Sequence, residues 1–313
     1  MVALEAAPYR GRFAPSPTGP LHFGSLVAAM ASYADARAAG GQWLVRIEDV
    51  DLPRARPGIA DDILRALERL GFEWDGTVWR QAERRAAYEE ALQTLRARGI
   101  AYPCACTRRE LAAAPVGRIG ERVYPATCRD GLSGERAARK RMAMRVRVPG
   151  AAIAFTDRHY GRQQQHLAAD VGDFIVKRSD GLFAYQLAVV VDDAAQRVTD
   201  VVRGADLLAS TPRQIFLQRA LDLPTPRYLH VPVAIDALGA KLSKQTGAPA
   251  LPASPLPALQ AAWRFLQQAP PPGAPSTTRE FWAWAIAHWQ PARLPPAAML
   301  PAPAPYGGRG VPV

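Results

Sequence analysis

The chain has 313 residues, 49% of them apolar, so it can bury a large core and hold more than one domain. Its net charge of +11 and pI near 10 point to a polyanionic partner such as nucleic acid, although a coding preference for Arg over Lys would leave the same mark. Three classes are not expected: no apolar run approaches the roughly 20 residues that span a bilayer, Met1–Arg10 does not read as a signal peptide, and an odd count of three cysteines argues against a disulfide framework. A cytoplasmic protein is the expectation.

The first part of the chain alternates strand and helix. Tyr9–Ala14 reads as a short strand. Leu26–Ala39 places Leu26, Ala29, Met30, Tyr33 and Ala34 on one helical face and stops at Gly40-Gly41. Gln42–Glu48 reads as a buried strand. Gly58–Leu70 is an amphipathic helix closed by Gly71, and Arg84–Arg98 is another closed by Gly99. Strands and helices of these lengths in alternation predict an α/β fold with a doubly wound parallel sheet.

The middle changes character. Ala101 to about Arg129 is rich in loops and holds all three cysteines. Met142–Val148 reads as a strand. Phe174–Arg178 and Phe183–Val191 read as two strands joined by an Asp180-Gly181 turn. Helical pattern resumes at Thr211–Leu221. Beyond Leu251, Pro and Ala dominate, with two Trp-bearing helical patterns near Leu256–Gln268 and Thr278–Trp289. Pro291–Val313 is predicted to be disordered.

Several residues invite chemistry. Arg12-Phe13-Ala14-Pro15-Ser16-Pro17-Thr18-Gly19-Pro20-Leu21-His22-Phe23-Gly24-Ser25 packs turn formers against a helix start. There, backbone N–H groups and the positive end of the helix dipole meet, which suits phosphate. Pro15 and Pro17 stiffen the turn, Gly19 and Gly24 permit close approach, and His22 offers a ring donor. Lys241-Leu242-Ser243-Lys244-Gln245, set between Gly239 and Gly247, brings two ammonium groups that could fold over a triphosphate; a solvated basic loop reads the same way.

Arg46-Ile47-Glu48-Asp49 follows a buried strand, where α/β sheets bind ligands and where solvated charges also sit. Tyr185 lies in an apolar stretch, and Arg203-Gly204-Ala205-Asp206 follows the apolar run Val198–Val202; either could be a structural hydrogen-bonding group. Cys104-Ala105-Cys106 with Cys128, and a fourth ligand from Tyr124, a His or water, suits a zinc site, the alternative being small buried thiols.

Together these motifs resemble the class I aminoacyl-tRNA synthetases in their glutamyl-specific form. Arg12–Ser25 is similar to the first signature of that class and Lys241–Gln245 to its second, lysine-rich signature. Arg46–Asp49, Phe183-Ala184-Tyr185 and Val202–Asp206 stand where glutamyl enzymes have such segments. Ser25 replaces a second histidine of the wider class, and Leu242 and Gln245 replace Met and Ser. The resemblance covers about Tyr9 to Leu251. The early end, with little room for an anticodon-binding region, and the Cys-x-Cys with Tyr124 and Cys128 resemble a truncated branch whose members place glutamate on queuosine in the anticodon loop of tRNA(Asp).

The resemblance implies a Rossmann-like class I catalytic core over residues 1–250. It also implies a zinc-bearing α+β insertion at about 101–185 and a short helical region with a Pro/Ala-rich tail at 251–313. The implied reaction is tRNA-independent activation of L-glutamate by ATP with Mg²⁺ to glutamyl-adenylate, then transfer to queuosine. Arg12, Phe13, Ala14, Pro15, Ser16, Glu48, Tyr185 and Arg203 would hold glutamate. His22, Gly24 and Lys244 would contact ATP, with His22, Lys241 and Lys244 as the catalytic set. Cys104, Cys106, Tyr124 and Cys128 would hold one structural zinc. The expected state is a monomer. The alternatives are a short synthetase charging the tRNA 3′ end and a tRNA-binding paralogue without catalysis.

Overall fold

The structure is a computed structural model and describes residues 8–50, 58–242 and 249–307. Its centre is a parallel sheet that starts with β1 (Arg10–Phe13), α1 (Phe23–Ala38), β2 (Gln42–Ile47), α2 (Ile59–Arg69) and β3 (Trp79–Arg80). β1 pairs with β2 and β2 with β3, all parallel. α1 starts three residues before the predicted Leu26, because His22 caps it: the ring accepts the Ser25 N–H. Its Leu26, Ala29, Met30 and Ala34 are fully buried, each larger side chain contributing about 1.5–3 kcal/mol of apolar burial. The predicted glycine stops hold: Gly40, Gly71 and Gly99 follow α1, α2 and α3 (Arg85–Ala97) with φ of 63°, 76° and 68°.

The chain then leaves the sheet. β4 (Ala101–Cys104), α4 (Arg108–Ala112) and β5 (Ala143–Val146) come first. The strand β6 (Ile153–Asp157) and β7 (Gly161–Gln165) follow, then α5 (Leu167–Asp170) and β8 (Ile175–Lys177). β4, β5 and β8 form a small antiparallel sheet. β6 instead joins the parallel sheet through β10 (Arg227–Val231), which pairs with β9 (Asp200–Gly204). Between β8 and β10 lie α6 (Tyr185–Ala195) and α7 (Thr211–Ala220), and α7 matches its predicted span closely.

The two parallel halves meet at β1 and β9. Thr199 N–H donates to Arg10 O (2.9 Å), and Arg10 N–H donates to Thr199 Oγ1 (2.8 Å). The order in which successive strands are added reverses at this seam, which opens a crevice beyond the carboxyl ends of the strands. Phe13, Ile47, Gly204 and Val231 end their strands around it.

Two expectations fail. Phe183–Val191 is not a strand. The Asp180-Gly181 turn does close, with Arg178 N–H on Leu182 O (2.7 Å) and a bridge between Lys177 and Phe183, but the chain then enters α6. Val189, Val190 and Val191 suggested a strand; α6 is instead packed between α3 and α7, so its apolar run shows no alternation that would separate the two. Tyr185 is thus the first residue of a helix.

The second failure is the tail as far as residue 307; residues 308–313 lie outside the described residues. β11 (Val233–Ile235) pairs in parallel with β12 (Met299–Pro301), after α8 (Pro255–Phe265) and α9 (Thr278–Ala287) have packed against α1. Tyr306 is 5% exposed and stacks on Phe23 at 4.6 Å between ring centres. Prolines removed helix and strand signal from residues 291–307, yet apolar contacts order them. No helix among the described residues is long and apolar enough to cross a membrane.

Candidate active site

A cavity of about 480 Å³ opens at the crevice. Its walls include Arg12, Phe13, Ala14, Pro15 and Ser16 from the end of β1 and the turn after it, and His22 and Gly24 from the start of α1. Glu48 enters from the end of β2, Tyr185 from α6, Arg203 from β9, and Lys241 from the segment after β11. Residues nearly 230 positions apart therefore share one space. Lys244, with Ser243 and Gln245, lies outside the described residues. On one side of that segment Leu242 lines the cavity, and on the other Ala250 forms an antiparallel bridge with His22, itself a lining residue.

The turn after β1 is held rather than loose. Pro15 O accepts the Glu48 N–H at 2.9 Å, tying the proline turn to the end of β2. Gly24 sits against the His22 ring; a Cβ there would lie 3.3 Å from His22 Cε1, so a side chain would crowd the imidazole. Gly24, Ser25 and Ala28 turn the amino end of α1 toward the cavity, where its dipole is positive.

Beneath the cavity lies a buried charge network that the sequence did not reveal. Arg46 is fully buried and donates to Asp193 Oδ1 (2.8 Å), Glu48 Oε1 (3.4 Å) and Gln196 Oε1 (2.7 Å). Arg12 Nε donates to the same Asp193 at 3.2 Å. Asp192 accepts from Tyr88 (2.6 Å), Gln81 (3.1 Å) and Arg84 (3.1 Å). Acids near a helix carboxyl end oppose the dipole; here α6 offsets that by pairing both with guanidiniums from other elements. Burial pushes the Glu48 carboxyl up to about 7, against the pull of Arg46 and Arg12. Arg12 and Arg46 together hold Asp193 below the usual carboxylate range despite its burial.

Arg203 is treated differently. It is 5% exposed, yet its hydrogen-bond acceptors among the described residues are all neutral: His230 Nε2 (3.1 Å), Thr211 Oγ1 (2.9 Å), Leu207 O (3.4 Å) and Tyr185 Oη (3.5 Å). Lys241, by contrast, pairs with Asp206. His230 and Asp157, which accepts from the ring at 2.7 Å, carried no signal in the sequence. A lone His in an apolar strand looks like core until its neighbours are known.

There are two further cavities among the described residues. One of about 370 Å³ shares Ser16, Thr18, Glu48 and Tyr185 with the first. Another, of about 440 Å³, lies beside the cysteines and is lined by Arg108, Arg139, Arg141, Arg145 and Arg178 against the single carboxylate of Asp180.

The sulfur atoms of Cys104, Cys106 and Cys128 lie within 4.8 Å of one another, Cys106 and Cys128 at 3.6 Å. Tyr124 Oη is 3.4 Å from Cys104 Sγ and 3.8 Å from Cys106 Sγ. A tetrahedral zinc with bonds of about 2.3 Å to sulfur sets its ligands roughly 3.8 Å apart, so these residues could hold such an ion. Arg145 Nε, 3.2 Å from Cys104 Sγ, adds positive charge that favours the thiolate. None of the four lines the 480 Å³ cavity.

The comparisons agree with this architecture. Residues 9–251 match the family model for tRNA synthetases class I (E and Q), catalytic domain. The chain is 56% identical over 312 residues to a glutamyl-Q tRNA(Asp) synthetase of Aromatoleum aromaticum, covering 99% of this chain and 98% of that one. It is 58% identical over 297 residues to the enzyme of the same name from Thiobacillus denitrificans, covering 94% and 98%. A crystal structure of a glutamate tRNA ligase from Elizabethkingia meningosepticum in complex with its amino acid has the same fold, with a TM-score of 0.77 at 24% identity, covering 94% of this chain and 67% of that one. The chain belongs to the class I tRNA synthetases of the E and Q group, a family of ligases, and stands within it beside the glutamyl-Q tRNA(Asp) synthetases.

Proposed function

We propose that the protein activates L-glutamate with ATP, without tRNA, and passes the glutamyl group to queuosine in the anticodon loop of tRNA(Asp). The observation that carries the reading is one cavity holding a buried guanidinium, Arg203, whose hydrogen-bond acceptors among the described residues are neutral, and the carboxylate of Glu48, whose side chain is 8% exposed. That is a receptor for a zwitterion. Arg12 and Arg203 take the two carboxylates, for which a guanidinium fork is well shaped, and Glu48 takes the ammonium. Tyr185 and Ser16 supply neutral hydrogen bonds, and Phe13, Ala14 and Pro15 shape the wall.

In the first step a carboxylate oxygen of glutamate attacks the α-phosphorus of ATP, which enters with Mg²⁺, and pyrophosphate leaves. His22, the amino end of α1 beside Gly24, and Lys241 with Lys244 stabilise the charge that moves onto the phosphates. In the second step a hydroxyl of the cyclopentenediol of queuosine attacks the acyl carbon, and AMP leaves. No protein nucleophile is needed; the rate comes from placement and charge stabilisation. The 370 Å³ cavity that shares Glu48 and Tyr185 gives the acceptor a way in. The arginine-lined cavity suits RNA phosphates.

Cys104, Cys106, Tyr124 and Cys128 hold one zinc ion, whose contribution is to fasten the loop between β4 and β5. The test is the position of labelled glutamate after reaction with queuosine-bearing tRNA(Asp). Label recovered on the excised queuosine nucleoside supports the reading. Label on the terminal adenosine supports a short synthetase that charges the 3′ end, and no transfer at all supports a binding paralogue.

A further inference from the structure

We propose that Asp157 and His230 are positioning residues that set the orientation of Arg203, and through it the affinity for one carboxylate of the substrate. The inference rests on the reading of Arg203 as a carboxylate holder. Asp157 ends β6, His230 lies in β10 and Arg203 in β9, three strands that neighbour one another in that order. The register places His230 directly opposite Arg203. All three are buried, at 1%, 0% and 5% exposure.

The carboxylate of Asp157 is itself fixed. It accepts the backbone N–H groups of His159 (3.0 Å), Tyr160 (2.9 Å) and His230 (3.1 Å). Its bond to His230 Nδ1 therefore requires a proton on that nitrogen, and Nε2 is left as an acceptor. Arg203 Nε–H donates to Nε2 at 3.1 Å, and Thr211 Oγ1 takes an Nη2–H at 2.9 Å. Two fixed bonds on adjacent nitrogens define the plane of a guanidinium. The tyrosine ring of Tyr228, stacked on His230 and 5.4 Å beneath the Arg203 guanidinium carbon, supports the same plane.

The arrangement also keeps the guanidinium unneutralised. Arg12 spends its charge on Asp193 directly, but the imidazole separates Arg203 from Asp157. A proton on Nε2 would set donor against donor and cation against cation. Burial and Arg203 hold the ring down to about 4, against the pull of Asp157 and Asp206, so it stays neutral.

Four measurements on the full-length, metal-loaded protein test this. The first is pyrophosphate exchange by His230→Ala. The KM for glutamate should rise on the order of 10- to 100-fold, the scale seen when the outer partner that orients a ligand-holding residue is removed, with the KM for ATP within about twofold. The second is His230→Gln, whose amide oxygen falls near the position of Nε2 and should recover most of the loss. The third is binding of glutamate, glutamine and isoglutamine. The two amides each lack one carboxylate, and the loss in His230→Ala should vanish for whichever lacks the group that Arg203 holds.

The fourth needs no variant that must fold: ¹⁵N spectra of the five histidines should show one neutral ring protonated at Nδ1 and unchanged down to about pH 5. Equal losses for all three ligands, equal rises in both KM values, or an Nε2–H ring at His230 would overturn the inference alone. Absence of glutamate-dependent exchange in the unaltered protein would overturn the reading of the site, and the inference with it.

Discussion

Replacing Arg203 by Ala removes a buried guanidinium of the cavity whose hydrogen-bond acceptors among the described residues are all neutral. Truncating one partner of a buried charge pair costs about 2–5 kcal/mol, and about 1.4 kcal/mol is tenfold in affinity. The KM for glutamate should therefore rise about 30-fold to a few thousand-fold. The fold should tolerate the change. Thr211 Oγ1 lies 3.3 Å from His230 Nε2, so once Arg203 is gone the hydroxyl can donate to the ring and neither atom is orphaned. The assay is glutamate-dependent pyrophosphate exchange with both substrates varied, beside a thermal melt of the variant. The expected pattern is a large rise in the glutamate KM, an ATP KM within about twofold, and a small change in Tm. An unchanged glutamate KM would refute the role of Arg203, and parallel rises in both KM values would show general damage.

Three further outcomes are expected. Glu48 titrates near 7 in surroundings set by Arg46, Arg12, Asp193 and Tyr185, and only its carboxylate pairs with an ammonium. The glutamate KM should accordingly rise as pH falls below about 7, approaching tenfold per pH unit, and Glu48→Gln should abolish that slope; a slope that survives in the variant belongs to another group. Elemental analysis should give one zinc per chain, lost in Cys128→Ser with a lowered Tm but a nearly unchanged glutamate KM, since the thiols lie away from the cavity; a zinc-free parent protein would contradict the site. Tyr306→Ala should cost about 3 kcal/mol, because the ring is buried on Phe23, whereas a loose tail would leave stability unaltered.

What the sequence made legible was what local chemistry writes. The spacing of Leu26, Met30 and Tyr33, and the glycines at 40, 71 and 99, marked the helices and their ends, and alternation with apolar strands implied the parallel sheet. The two cation-bearing motifs were visible because turn formers and lysines cluster along the chain. What stayed hidden depends on distant partners. Asp192 and Asp193 ended an apolar run that read as a strand, and nothing nearby showed that they anchor Arg46 and Arg12. His230 and Asp157 are 73 residues apart and meet only because β6 and β10 are neighbours. The proline-rich residues 291–307 lacked periodicity, and their order comes from β11 and Phe23, which precede them by far.

The central claim is that one cavity grips glutamate beside ATP before any tRNA arrives. Pyrophosphate exchange run without tRNA, with glutamate, glutamine and aspartate side by side, tests it most directly. Exchange with glutamate and background with the other two is the expected result. Exchange with none of them, or equal exchange with glutamate and glutamine, would contradict it.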